Sequence, residues 1–286
     1  MNTKKDFKNA PLPFMGQKRR FLKKVKEVLA DHPEDSVYID LFGGSGLLSH
    51  TIKANFPNSR VIYNDFDNYR FRLAHIQKTN DLLNDFKLWL TEVPKGSKIT
   101  GNARENVLNR IYQDEIKYGY VDYVTLSSSL LFSMKYVNSF AELEKETLYN
   151  KLRGADYDAS GYLDGVEVES LDYKLLFEKY KHVANVVWLV DPPYLSTEAG
   201  TYKGSYWKLR DYLDVLNVLD GTNYLYFTSN KSQIVELCDW IETRTATGNP
   251  FYGATTTTMD VQMNHSAKYT DIMMYKYDFK CTSTTP

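Results

Sequence analysis

Val37-Tyr-Ile-Asp-Leu-Phe-Gly-Gly-Ser-Gly46 decides how the rest of the chain is read. Residues 37–42 are a β-branched and aromatic run, which reads as a short buried strand stopped by Gly43 and Gly44. A helix is expected from about Leu47 to Asn55, then a second strand from Arg60 to Asn64, ending at Asp65, and another helix starting near Asn68. Further out, strand character returns at Val186 to Val190, Tyr224 to Thr228 and Asp271 to Tyr277, with a helical segment from Leu209 to Leu219. Strands alternating with helices predict an α/β fold, doubly wound, whose mainly parallel sheet is covered on both faces.

Between about His75 and Glu169 the texture changes to polar helical stretches, a Gly/Ser/Lys segment at Pro94 to Gly101 and a loop-like stretch from Gly154 to Gly165. Residues 75–169 are therefore expected to form an inserted, mainly helical subdomain, with 1–74 and 170–286 making the sheet domain. Thr255 to Thr258, a low-complexity patch, reads as a loop, and there is no internal repeat.

The chain has 286 residues, of which 43% are hydrophobic and 25% charged, with 35 basic side chains against 36 acidic ones; this excludes intrinsic disorder and collagen-like classes. Two cysteines, Cys238 and Cys281, cannot form a disulfide framework or a four-ligand zinc site. Nothing resembles a signal peptide or an apolar run of about 18 residues, so the expected compartment is the cytoplasm. The charge is unevenly spread. Residues 1–30 hold nine Lys or Arg against Asp6 and Glu27, whereas residues 75–169 hold 11 basic and 15 acidic side chains. The basic end fits phosphate contact and a solvated helix face equally well, with Phe21, Leu22, Val25, Val28 and Leu29 packed inward.

In an open α/β sheet ligands bind beyond the carboxyl ends of the strands, so the residues following each strand are read together. After the first strand, Asp40 to Gly46 forms a glycine turn where a ligand can approach backbone at a helix N-terminus. Asp65, 19 residues past Gly46, stands where a carboxylate would accept hydrogen bonds from ribose hydroxyls. The glycine pattern, Gly44-x-Gly46-x-x-Ser49, lacks the third glycine of the dinucleotide fingerprint, which disfavours NAD. A glycine turn between strand and helix can also be purely structural.

Asp191-Pro-Pro-Tyr194 directly follows the apolar run Val186 to Val190. Two prolines fix an extended, rigid turn that aims carbonyls and flanking side chains at one spot. Fixed acceptors of this kind suit a planar base amine with two N–H donors, and Tyr194 offers a ring for stacking. Asp191 is expected to be an exposed strand-end carboxylate that contributes little to packing.

At these residues the chain resembles the Dam-type (D12 class) DNA adenine-N6 methyltransferases, in which the target-recognition region lies between the cofactor half and the catalytic motif. Pro13-Phe-Met-Gly-Gln-Lys18 is similar to the family's N-terminal cofactor motif, with Gln17 where a second glycine is common. Asp40 to Gly46 resembles the S-adenosylmethionine loop, Asn64-Asp65 the ribose-binding acid, and Leu171-Asp-Tyr173 the acidic-aromatic motif upstream of the catalytic tetrapeptide, which is intact at 191–194. The resemblance implies a class I methyltransferase (Rossmann-like) fold and methyl transfer from S-adenosyl-L-methionine to N6 of a flipped adenine in double-stranded DNA. It implies Asp191, Pro192, Pro193 and Tyr194 as catalytic residues. It places Phe14, Gly16, Lys18, Asp40, Phe42, Gly43, Gly44, Ser45, Gly46, Asp65, Asp172, Tyr173 and again Asp191 around the cofactor. It calls for no metal and no membrane, fits a monomer or weak dimer, and leaves a cognate restriction enzyme open as a partner.

Methylation of RNA adenine, cytosine or protein glutamine stays open beside this reading, as does a nucleic-acid-binding relative without activity; Asp rather than Asn at 191 favours adenine over glutamine. Lys135, Lys151 and Arg153, or the basic N-terminal segment, are the candidate phosphate contacts. Phe132 to Asn138 faintly resembles the Asn/aromatic segments by which relatives reach DNA, but is read in preference as a helix with a hydrophobic face. Tyr206 and Trp207 suit either a loop closing on the base or surface packing, and Phe227-Thr-Ser-Asn230 either lines the base pocket or does not. The five histidines, His32, His50, His75, His182 and His265, lack metal-ligand spacing.

Overall fold

A computed structural model describes residues 6–132, 135–193, 207–243, 248–262 and 268–278. Along the chain run α1 (Leu22–Leu29), β1 (Val37–Asp40), α2 (Leu47–Asn55), β2 (Arg60–Asn64), α3 (Tyr69–Ala74), α4 (Ile76–Trp89), α5 (Gly101–Tyr118), α6 (Tyr123–Leu130) and α7 (Phe140–Leu143). After these come β3 (Glu167–Glu169), α8 (Tyr173–Tyr180), β4 (Val186–Val190), α9 (Leu209–Leu219), β5 (Asn223–Ser229), α10 (Ile234–Glu242), β6 (Thr255–Gln262) and β7 (Lys268–Lys276). Two compact units result. One takes in Gln17–Asp67 with the described residues up to Asn9 and from Leu163 onward; the other is Ala10–Gly16 with Asn68–Tyr162.

The first unit is a seven-stranded sheet in the order β3-β2-β1-β4-β5-β7-β6. Strands β3, β2, β1, β4 and β5 are mutually parallel, and β7 and β6 complete the sheet antiparallel. This mixed α/β order is that of the class I methyltransferase fold. The central strands are mainly apolar because both faces are covered: all five residues of β4, Val-Val-Trp-Leu-Val, are buried. Alternation sends Val37, Ile39, Ile62, Trp188 and Tyr226 to one face, where α8, α9 and α10 cover them with Leu176, Tyr180, Tyr212, Val215, Ile234 and Cys238. The opposite face receives α1, whose Leu22, Val25, Val28 and Leu29 recur at helical spacing and are buried, as is Phe21 before it. Phe21 packs against Phe227 of β5, with ring centroids 5.7 Å apart.

Three expectations are corrected. Thr255 to Thr258 is no loop but the first half of β6, paired residue by residue with Tyr275 to Ile272 of β7. Threonine is β-branched and favours strands, so a repetitive composition did not imply irregular backbone. Glu167–Glu169, assigned to the insertion, is a strand paired in parallel with Ile62–Asn64. It is too short and too acidic to show a strand pattern, and the division between units falls at 68 and 162 rather than 75 and 169. Finally, the described part of 132–138 is not helical, because α6 ends at Leu130 and Leu131 is extended. Ser127, Ser128 and Ser129 turn their hydroxyls back onto the carbonyls of Tyr123 and Thr125, which weakens helix continuation, and the Leu131 carbonyl accepts from Lys151 Nζ at 2.9 Å.

The second unit is helical. Its segments are fastened by polar ties to α3 and α4: Arg72 Nε reaches Asp122 at 3.2 Å, and Asn80 exchanges two hydrogen bonds of 2.9 Å with the Tyr157 backbone. Among the described residues no helix is long and apolar enough to cross a membrane.

Candidate active site at the strand ends

Beyond the ends of β1, β2 and β4 the chain collects polar groups that the strands themselves exclude. Asn64, the last residue of β2 and only 1% exposed, holds three strand exits together. Its amide Nδ2 donates to the Leu41 carbonyl at 3.0 Å and to the Leu171 carbonyl at 2.8 Å, and its Oδ1 accepts from Leu171 N–H at 2.9 Å. The acidic-aromatic segment Leu171-Asp-Tyr173 is thereby fixed beside the glycine turn.

The turn itself is shaped by Tyr63. A Cβ at Gly43 would stand 2.3 Å from the Tyr63 ring and 2.7 Å from the Asn64 carbonyl, so only glycine fits there. Gly46 precedes α2 in the left-handed region at φ 71°, where its missing Cβ also lets Leu163 approach. The Tyr63 hydroxyl lies 2.7 Å from the Gly44 carbonyl and 2.9 Å from Asp65 Oδ1, so one proton serves two acceptors. Tyr63 was missed in the sequence because it reads as one more apolar strand residue; the neighbouring glycine was the only trace of it.

Asp191 follows β4 and meets Lys18, with Nζ to Oδ2 at 2.6 Å and side chains 8% and 18% exposed respectively. Asp191 is thus not the exposed carboxylate expected, and Lys18 meets the catalytic candidate rather than only the cofactor positions. Burial raises the Asp191 carboxyl pKa, while the charge and hydrogen bond of Lys18 pull it down. Asp40 lies deeper at 1% exposure. Its Oδ2 accepts from Ser49 Oγ at 2.7 Å, and its Oδ1 is buried with no hydrogen-bond partner among the described residues. Burial pushes this carboxyl up to about 7, with the Ser49 hydrogen bond opposing and the charge of Asp191 adding.

On the face covered by α8 and α9, Phe42, Tyr173, Trp207 and Tyr212 form an aromatic group. Phe42 and Tyr173 have centroids 5.0 Å apart, and the Trp207 ring stacks on Tyr173 at 5.8 Å and meets Tyr212 at 5.0 Å. Of the two readings of Trp207, the structure shows packing on Phe42 and Tyr173. Asp172 caps α8, its Oδ1 accepting from Lys174 N–H at 2.9 Å, a structural duty the sequence reading had not given it. Phe14 and Gly16 belong to the other unit, where the Phe14 ring meets Tyr69 edge-on at 5.6 Å; the unit division falls inside the segment 13–18. Phe227 lies 6.0 Å from Lys18 Nζ, and the buried Thr228 hydroxyl lacks a hydrogen-bond partner among the described residues. Asn230 is tied to Thr270 by two 2.9 Å bonds. Pro192 is buried and Pro193 half-buried, while Tyr194 and Tyr206 lie outside the described residues.

This arrangement of glycine turn, Asp65 and Asp191-Pro-Pro on one sheet agrees with a family model that matches residues 14–244, that of the D12 class N6 adenine-specific DNA methyltransferases. The chain belongs to that family. A Haemophilus influenzae protein named "Putative methyltransferase" is 39% identical to it over 285 residues, covering 97% of this chain and 95% of its own. As a D12-class methyltransferase the chain has an adenine amino group of DNA as its family's acceptor. No group of three or more His, Cys, Asp or Glu that could hold a metal ion occurs among the described residues.

In this D12-class chain the candidate phosphate contacts of the insertion each have a partner within it. Lys135 pairs with Glu146, Lys151 donates to the Leu131 carbonyl, and the Arg153 guanidinium lies 4.2 Å from the centroid of Tyr157.

Proposed function

We propose that this methyltransferase transfers a methyl group from S-adenosyl-L-methionine to N6 of a specific adenine flipped out of double-stranded DNA, with residues 68–162 selecting the target. The carrying observation is Asp191, held by Lys18 at 2.6 Å beyond β4, on the strand beside the glycine turn of β1. An adenine amine presents two N–H donors. Asp191 accepts one and the Pro192 carbonyl the other, which leaves the nitrogen lone pair to attack. The attacking nitrogen must later shed a proton, and the Asp191 carboxylate is the acceptor nearest in role. Tyr194 stacks on the base. Unstacking the adenine costs a few kcal/mol, and orientation by fixed acceptors offsets it.

The residues present suit the cofactor. S-adenosylmethionine supplies a methyl group already activated on a positively charged sulfur, so no metal is needed. Asp65 suits the ribose hydroxyls, Phe42 and Tyr173 the adenine ring, and the backbone of Gly43 to Gly46 with Lys18 and Asp40 the charged amino-acid end. The orphaned, buried Oδ1 of Asp40 is the observation that favours a positively charged ligand here.

Incubating the protein with methyl-labelled cofactor and DNA, RNA or protein in parallel tests the reading. Label is expected in DNA alone, on adenine N6 and in a restricted sequence context. Label in RNA or protein, or in no acceptor, would overturn it.

A further inference from the structure

The strand-end site buries an uneven set of charges. Lys18 contributes one ammonium; Asp191 and Asp40 contribute two carboxyl groups, and all three are less than one-fifth exposed. Lys18 is engaged by Asp191 at 2.6 Å. Asp40 is hydrogen-bonded by Ser49, whose hydroxyl donates to Oδ2, while its buried Oδ1 has no hydrogen-bond partner among the described residues. An ionised carboxylate so placed is strongly disfavoured, and two remedies exist: a proton or a cation.

The surrounding groups leave these as the choices. On α2, His50 is occupied, its Nε2 accepting from Phe7 N–H at 3.2 Å. Beyond β2, Asn64 is committed to Leu41 and Leu171, and Asp65 accepts from Tyr63 at 2.9 Å. Beyond β4 stands Asp191, and on β7 Asp271 adds further negative charge near it. Among the described residues the cation acting on Asp40 is Lys18, whose ammonium Asp191 holds at 2.6 Å.

We propose that Asp40 carries an exchangeable proton on its orphan oxygen in the ligand-free protein, releases it to solvent when a ligand with one net positive charge enters, and keeps it when the ligand is neutral. Ser49 is the positioning residue, because its hydrogen bond fixes which oxygen stays unpaired. The proposal rests on the cofactor reading above and deepens it. S-adenosylmethionine, with a sulfonium, an ammonium and one carboxylate, carries a net charge of +1. Its demethylated product, a thioether, carries none. The site thus prefers the charged cofactor over the spent one by an electrostatic difference that grows with pH until Asp40 is ionised in the free protein. The free carboxyl's pKa of about 7 puts this change in the neutral range.

Titration calorimetry at pH 6 and pH 8, each in two buffers of unlike ionisation enthalpy, reads the proton directly. S-adenosylmethionine is expected to release close to one proton at pH 6 and about a tenth at pH 8, as a group titrating near 7 dictates. The demethylated product should release nearly none at either pH. Asp40→Asn should abolish the release, and Ser49→Ala should move its midpoint to higher pH, since the hydroxyl favours the ionised form. If the cofactor binds normally without proton release at pH 6, or if both ligands release equally, the proposal falls and the cofactor reading stands. If S-adenosylmethionine does not bind at all, both fall.

Discussion

In the sheet unit, charge is buried unevenly at the strand ends, where Lys18, Asp191 and Asp40 sit together and Asp40 keeps an unpaired oxygen. In the helical unit, charges close on one another. Arg110 spans Asp85 and Asp114, Lys87 meets Asp156 at 3.1 Å, and Arg72 meets Asp122, itself 1% exposed on its side chain. The first pattern leaves groups available for a ligand. The second fastens loops to helices, and the unit also exposes aromatic and aliphatic side chains such as Tyr112, Ile116 and Phe132. On the proposed function, buried charge serves chemistry in one unit and connectivity in the other, and the two roles should respond differently to substitution.

Arg72→Met should produce the largest change. It strands the buried Asp122 carboxylate and is expected to destabilise the fold by about 3–5 kcal/mol, read as a shift in denaturant midpoint. Cofactor affinity of the folded variant should not change; a large loss of affinity with unaltered stability would erase the contrast between the units. Asp191→Asn should do the reverse, lowering turnover about 100- to 1,000-fold with a smaller loss of stability than Arg72→Met, because the amide oxygen still accepts from the Lys18 ammonium. Turnover within tenfold of the parent protein would remove Asp191 from the reaction. Asp191→Ala is a poorer probe, since it removes the acceptor oxygen of the buried Lys18 ammonium as well as the charge.

Asp65→Ala should weaken S-adenosylmethionine binding by about tenfold or more, the loss of a charge-assisted hydrogen bond of about 1.5–3 kcal/mol. Unchanged calorimetric affinity would move the ribose contact elsewhere. The smallest effect is expected from replacing Arg19, Arg20, Lys23 and Lys24 together. Lys23 and Lys24 already lie 3.9 and 3.8 Å from Glu27, which dilutes their pull on phosphate. DNA binding should weaken for every sequence alike, and the slope of log affinity against log salt should flatten by up to about 3. An unaltered slope would make this face of α1 a solvated surface only.

The sheet was legible because its signals are local. A short, β-branched, continuously apolar run such as Val186 to Val190 reads as a strand covered on both faces, and a strand followed by glycines places a helix N-terminus at a strand end. Strand ends then give the candidate site residues in order, and the boundaries of α2, β2, β4 and α9 coincide with those read from the sequence. The edge was legible only in part. β6 announces itself by composition alone, and β3 by nothing, because three residues with two glutamates carry no periodicity.

What the sequence by itself determined is which residues stand at the strand ends, since backbone order and side-chain alternation are consequences of local pattern. Which of them touch was decided by the tertiary structure. Lys18 and Asp191 are 173 positions apart, and their ion pair exists only because the segment preceding α1 and the exit of β4 converge. The same holds for Asn64 and Leu171, and for Glu167 in the sheet beside Arg60, which it meets at 2.8 Å. Burial is equally non-local. The solvation that would keep Asp40 an ordinary carboxylate is removed by elements drawn from several parts of the chain, and no window of sequence contains that information.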